Sequence, residues 1–351
     1  MPGKIKYLLS AIVFSGILIT SCRKWLPGDL DYLSPQAVFT QTQYQPILGR
    51  TTLYSRVFNT DNSTTPIHFE ITNVRYKENG NPTDDLAREV PALTWKAAYT
   101  GYEKSLAEIE AKRTMEPHPL WEIREKSGDF ILWSSADSTM LRQQPDSGYL
   151  FDVVASNSGG ANTYKDLLLM PLRAQPYSPY EYDEITGERA KQYLTEDSSV
   201  YRLIYLHPNI YNITGDSTDL LLKSDSVRVY FHKKGNGSSL TFKFLNKDSL
   251  PISPSNFNRT IWDSVVHGFN VKITKDAVSY DVAYPIPLVR YPTRFTTTDG
   301  SQAHVVFTFD RLGFGGIRQT GTIDFSFSIF QKGDWEIIFH FYSDNPRFSD
   351  E

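Results

Sequence analysis

The chain has 351 residues, 40% of them hydrophobic, and a formal net charge of -4, so it can bury sizeable cores and lacks the basic excess that nucleic-acid binding draws on. Its single cysteine, Cys22, excludes an internal disulfide and a cysteine metal cluster. The length exceeds what one core usually holds, which predicts two domains, and 21 Tyr, 21 Phe and 6 Trp favour strands, because aromatic rings fit pleated, half-buried surfaces.

Lys4 and Lys6 precede an uncharged apolar run from Tyr7 to Ile19, with the small residues Thr20 and Ser21 just before Cys22. This three-part layout predicts a secretory signal peptide over residues 1–21. The run is shorter than the ~20 apolar residues a membrane-crossing helix needs, and it is followed by Arg23 and Lys24. The tetrad Ile19-Thr20-Ser21-Cys22 resembles the bacterial lipoprotein signal known as a lipobox. That resemblance implies a diacylglycerol thioether on Cys22, cleavage before it and acylation of the new amino terminus. The mature protein would then be anchored to a membrane without spanning it, and with Cys22 lipidated no cysteine nucleophile remains. Residues 22–44, with Pro27-Gly28 and Pro35, are expected as a tether.

A first β-sandwich is expected over residues 45–185. Leu53 to Phe58 and Ile67 to Tyr76 read as a hairpin across the polar turn Thr60 to Thr65, with Ile67, Phe69 and Ile71 alternating with His68, Glu70 and Thr72. Leu106 and Ile109 recur at helical spacing, which predicts a short amphipathic helix over 102–113 covering the first sheet. Strands resume from Leu120 to Trp133, turning near Ser127-Gly128-Asp129, and from Tyr149 to Leu172, looping at 157–162. Ala174 to Ser199 loses the alternation and reads as the link between domains, with a short helix near 188–194.

A second sandwich is expected over 186–351, where six strand patterns follow one another between turns. The predicted class is therefore mostly β, two tandem antiparallel sandwiches of immunoglobulin-like type with one short helix in the first. An internal echo supports related halves: Ile67, Phe69, Ile71 and Asn73 align on Leu240, Phe242, Phe244 and Asn246, in hairpins of equal length.

Signals for chemistry are sparse. The histidines lack metal-ligand spacing, and Leu312 to Gly321 is glycine-rich but leads into a strand pattern, so it reads as a β connection and not a phosphate loop. Acidic pairs such as Asp183-Glu184 or Asp216 with Asp219 are ordinary in a chain with 40 acidic residues, and the Asn209 to Asp225 loop lacks calcium-loop spacing. No cofactor or metal is expected. The candidate ligand site is Pro176 to Glu184, where Tyr177, Tyr180 and Tyr182 lie beside Asp183. Rings stack on the apolar face of a pyranose while carboxylates accept its hydroxyl hydrogen bonds. The same rings could instead pack the junction between domains.

Val57 to Arg75, the phrase SLAEIEAKR followed by HPLWEIREKSGDFILW, then PDSGYLFDVVASNSGG and the closing KGDWEIIF resemble an uncharacterised family of Bacteroidota lipoproteins, domain of unknown function 5007. The resemblance covers nearly the whole chain and carries no catalytic residues. Its setting implies an outer-membrane lipoprotein, with the membrane as one partner and glycan and components of a TonB-dependent transporter as others, in a binding or assembly role. A polysaccharide-processing enzyme and a structural or adhesive envelope protein are the alternatives. Arg23-Lys24 stand where an acidic surface-export signal would follow Cys22, which leaves periplasmic and surface-facing orientations both open.

Overall fold

Every second side chain is buried, with only partly buried or exposed ones between, along the strands Ser239–Leu245, Asp334–His340 and Ala303–Gly313. Successive side chains of a strand point to opposite faces, so this pattern commits one face of each to a core. The computed structural model describes residues 31–194 and 200–351, and within them the protein is mostly β. The signal peptide and Cys22 lie outside the described residues.

The aromatic residues divide into two main buried clusters. The first gathers Phe39, Tyr44, Phe69, Trp121, Phe130 and Phe151 between a four-stranded sheet and a three-stranded one. The four-stranded sheet runs in the order Gln43–Tyr44, Gly160–Leu169, Tyr149–Asn157, His68–Tyr76, and the other runs Thr52–Tyr54, Phe130–Leu132, Trp121–Ile123. Two sheets closing on one core is the packing of a β-sandwich. At its centre Trp121 stacks on Phe130 with centroids 5.1 Å apart.

The second cluster contains Phe242, Phe244, Phe307, Phe309, Phe327 and Phe339. On one side is a five-stranded sheet in the order Arg228–Gly235, Asp334–His340, Ser239–Leu245, Val278–Val282, Gly268–Ile273. On the other, Ile317–Ile329 pairs with Ala303–Gly313, Asn209–Tyr211 and Tyr177–Ser178. Phe314–Gly316 forms the turn between the two long strands, so the glycine-rich stretch is a β connection.

Several expectations are corrected. Residues 31–44 are not a free tether: Leu33, Phe39 and Tyr44 are buried, and Gln43–Tyr44 is a strand of the first sheet. The two echoing hairpins do not form. His68–Tyr76 pairs with Tyr149–Asn157, while Thr52–Tyr54 pairs with Phe130–Leu132. In the second half, Asp334–His340 inserts between Arg228–Gly235 and Ser239–Leu245, antiparallel to one and parallel to the other. The sheets are thus mixed and not purely antiparallel. Asp334 holds the opened turn, accepting from Gly237 N at 2.9 Å and Ser239 Oγ at 2.7 Å. A Cβ at Gly235 or Gly237 would sit 2.4 Å from its carboxylate, which is why glycines stand there. The helix expected near 188–194 is replaced by the strand Lys191–Tyr193.

The helix expected over 102–113 forms, but it is shorter and packs elsewhere than on the first sheet. It spans Leu106–Ala111, starting where Ser105 Oγ accepts from Glu108 N at 3.2 Å. Tyr102, at the expected start of the helix, lies outside it and is 80% exposed. Ile109, fully buried, packs against Ala283 and Leu288 of the second half rather than on the first sheet. The helix sits between the hairpin strands Glu89–Trp95 and Arg113–Pro119, so the whole unit reaches across as an arm. His267 secures it: its Nε2 donates to Glu103 O at 2.9 Å and its Nδ1 accepts from the Tyr99 hydroxyl.

Candidate functional site

The tyrosine cluster is a staple and not a platform. Tyr177 is 6% exposed, stacks on Phe231 with centroids 4.3 Å apart, and donates to Glu181 Oε2 at 3.1 Å. Burial, aided by the neighbouring Glu181 carboxylate, pushes its phenol well above the usual range. Tyr180 packs edge-on against Tyr177 at 5.0 Å, and Tyr182 leans on Tyr180 at 5.1 Å, so the three rings descend from surface to core. Asp183 is exposed, but Oδ1 accepts from Thr186 N at 2.6 Å and Ile185 N at 3.0 Å, closing a local turn. Those bonds hold its carboxyl below the ordinary value. The structure brings these four residues together, yet Tyr177 and Tyr180 fasten the linking segment to the second core while Asp183 only closes its own turn.

The concavity lies elsewhere. A cleft of about 1340 Å³ opens where the arm and the first half face the second half. Arm residues Trp95 and Met115, with Trp133 behind them, form one wall; Tyr284, Leu288 and Phe330 form the other. Trp95 and Phe330, both half-buried, line the cleft from opposite walls. Such a space suits a ligand of several rings or units.

Two arginines tie the walls together. Arg113 is 7% exposed; its Nη1 donates to Tyr284 O at 2.6 Å and its Nη2 meets Glu110. The Arg50 guanidinium lies 3.9 Å from the centre of the Phe330 ring, and its Nη2 donates to Gln175 Oε1 at 2.9 Å. Burial, partly offset by Glu184, brings Arg50 down to about 10, so it stays charged at neutral pH. Arg113→Ala is expected to lower stability by about 2 kcal/mol, because Tyr284 O loses a charged donor in a buried setting. Urea unfolding measures this, and a change under about 0.5 kcal/mol, the level of a neutral surface substitution, would refute the strut.

Next to this wall Glu122 Oε2 accepts from Trp133 Nε1 at 3.0 Å and contacts His118 Nδ1 at 2.7 Å. The imidazole packs at a tilt against Trp133, centroids 4.4 Å apart, and turns Nε2 toward Glu116, 3.8 Å away. Among the described residues, no group of three or more His, Cys, Asp or Glu is placed to hold a metal ion. Asp216, in the Asn209 to Asp225 loop, pairs with Arg347 at 3.3 Å.

A family model described as Domain of unknown function (DUF5007) matches residues 58–350. The chain belongs to this family. No curated protein and no solved structure matches it. The DUF5007 match takes in both cleft walls except the rim formed by Gly49, Arg50, Thr51 and Leu53. No sequence signal in the DUF5007 chain pointed to this cleft, because its lining comes from short stretches near 50, 95, 113, 133, 285 and 330.

Proposed function

We propose that the protein is an outer-membrane-anchored lipoprotein, held through Cys22, that binds glycan in the cleft between its halves during polysaccharide uptake. Components of a TonB-dependent transporter are its proposed partners. The cleft carries this reading: it has room for several sugar units, and the half-buried rings of Trp95 and Phe330 that line it suit contact with the apolar faces of pyranose rings. The Bacteroidota lipoprotein setting implied by the sequence supports it further. A purely structural or adhesive protein needs no such concavity.

One observation favours a polysaccharide-processing enzyme as a second reading. Glu122 orients His118, and Glu116 and Glu110 line the same cleft, which places titratable groups beside the aromatic wall. A glycan array probed with the full-length chain in detergent, with hydrolysis products assayed in parallel, separates the two. Binding with intact oligosaccharides supports the binding protein, and shortened products support the enzyme. A blank array would refute glycan recognition altogether.

A further inference from the structure

The charge of the cleft departs from the charge of the chain. Six cationic side chains line it, Arg50, Lys96, Arg113, Arg124, Arg290 and Lys332, against two anionic ones, Glu110 and Glu116. The excess of four positive charges in the lining (6 − 2) stands in a protein whose net charge is -4. Internal pairing does not remove it. Glu110 is matched by Arg113 and Glu116 stands by His118, whereas Lys96, Arg124 and Lys332 have no ion-pair partner among the described residues. Arg290 reaches Asp299 only at 3.8 Å, with both side chains largely in solvent.

Unpaired cations gathered around one concavity repel each other, and a low-dielectric wall strengthens that repulsion. An anionic ligand relieves it. Lys96, Arg124, Arg290 and Lys332 are exposed, so they can reach a ligand without disturbing either core. Arg50 is held differently, flat on Phe330, where a bound anion would offset the cost of its burial.

Resting on the glycan reading above, we infer that the cleft selects acidic saccharides, with Lys96, Arg124, Arg290 and Lys332 pairing with carboxylate or sulfate groups while Trp95 and Phe330 hold the sugar rings. The shared chemistry is a repeating anion on a pyranose backbone. Lysines serve as point charges and arginines as planar forks, so both anion types can be met. Guanidinium and ammonium groups also bind nucleic-acid phosphates, but the ring faces flank a cleft of limited volume and do not extend along an open basic groove.

The test is titration calorimetry on the full-length chain in detergent, with two matched pairs of probes: oligogalacturonate against its fully methyl-esterified form, and dextran sulfate oligosaccharide against dextran. The charged member of at least one pair is expected to bind about tenfold or more tighter than its neutral partner. Its affinity should fall about tenfold between low and high salt, as paired surface charges are screened. The first pair reports carboxylate and the second sulfate. Lys96→Gln with Lys332→Gln, both at exposed positions, should weaken the charged probe about tenfold and leave the neutral one unchanged. Equal binding of charged and neutral members would overturn the inference while leaving glycan recognition in place. Equal affinity for a single-stranded oligonucleotide of the same charge would overturn the saccharide assignment. Absence of binding to every saccharide would overturn both.

Discussion

Glu103→Gln is expected to remove about 2 to 3 kcal/mol of stability at pH 7 and almost none near pH 2. Glu103 is only 6% exposed and sits where the arm meets the second half. Its Oε1 accepts from Thr100 N at 2.9 Å and Thr100 Oγ1 at 3.0 Å, its Oε2 accepts from Gly101 N at 2.9 Å, and Lys112 Nζ pairs with it. Burial works to raise this carboxyl, but the bonds from Lys112 and Thr100 outweigh it and hold the group at about 2 instead of 4.5. A folded value below the unfolded one means stability that is fully present above about pH 4.5 and lost as the pH falls through that value toward 2. The shift corresponds to something on the order of 3 kcal/mol.

The consequence reaches the cleft. Gly101 presses against Thr293 and Glu103 O receives the His267 ring, so the Glu103 turn latches the arm to the second half. Urea unfolding of wild type and variant at pH 7, 4 and 2.5 measures the effect. A stability difference that stays constant across that range would show that the ionised carboxylate is not what holds the latch.

Strand positions were legible in the second half because a period-two pattern depends only on which face meets the core. Leu240, Phe242 and Phe244 are buried as predicted. Which strand lies beside them is a different matter. The pattern of Ser239–Leu245 is satisfied equally by a hairpin with Arg228–Gly235 or by the observed parallel partner Asp334–His340, about ninety residues later. Alternation carries no record of the neighbour, so the apparent repeat at residues 57–73 and 230–246 misled on pairing.

The helix was overextended for a related reason. Tyr102 and Glu103 fit the helical spacing, yet the Glu103 carboxylate takes the Thr100 and Gly101 amides in a preceding turn, and the helix begins only after the Ser105 cap. Tyr177 shows the reverse case. No alternating face predicted its burial, because a two-residue strand, Tyr177–Ser178, adds to the end of Ile317–Ile329. The cleft was illegible since single cations such as Lys96, Arg124 and Lys332 become a site only when the arm crosses to the second half.

Cys22→Ala is expected to abolish fatty-acid labelling of the chain in a native host, whereas the wild-type chain takes up label and begins at Cys22. Each acyl methylene buried in a bilayer adds about 0.8 kcal/mol, so several chains anchor firmly where one would bind reversibly. The folded part then constrains where that anchor holds the body. A tether running to residue 44 would allow a reach of roughly 75 Å, but Asp31 and Tyr32 are already fastened. Asp31 meets Ser158, its carbonyl lies against Gly159, and Asn157 Nδ2 donates to Tyr32 O at 3.1 Å. With Cys22 as the proposed lipid site, the chain from Arg23 to Leu30 can reach at most roughly 30 Å to Asp31. The turn at residues 157–160 is therefore the end of the first sheet closest to the proposed membrane, while the opposite end of its strands, at Tyr149 and Leu169, leads toward the linking segment. A spin label or fluorophore at Ser158 should sense a bilayer quencher more strongly than one at Phe314, the exposed tip of the second half. An unlabelled wild-type chain would remove the anchor, and equal quenching at the two positions would remove the orientation drawn from it.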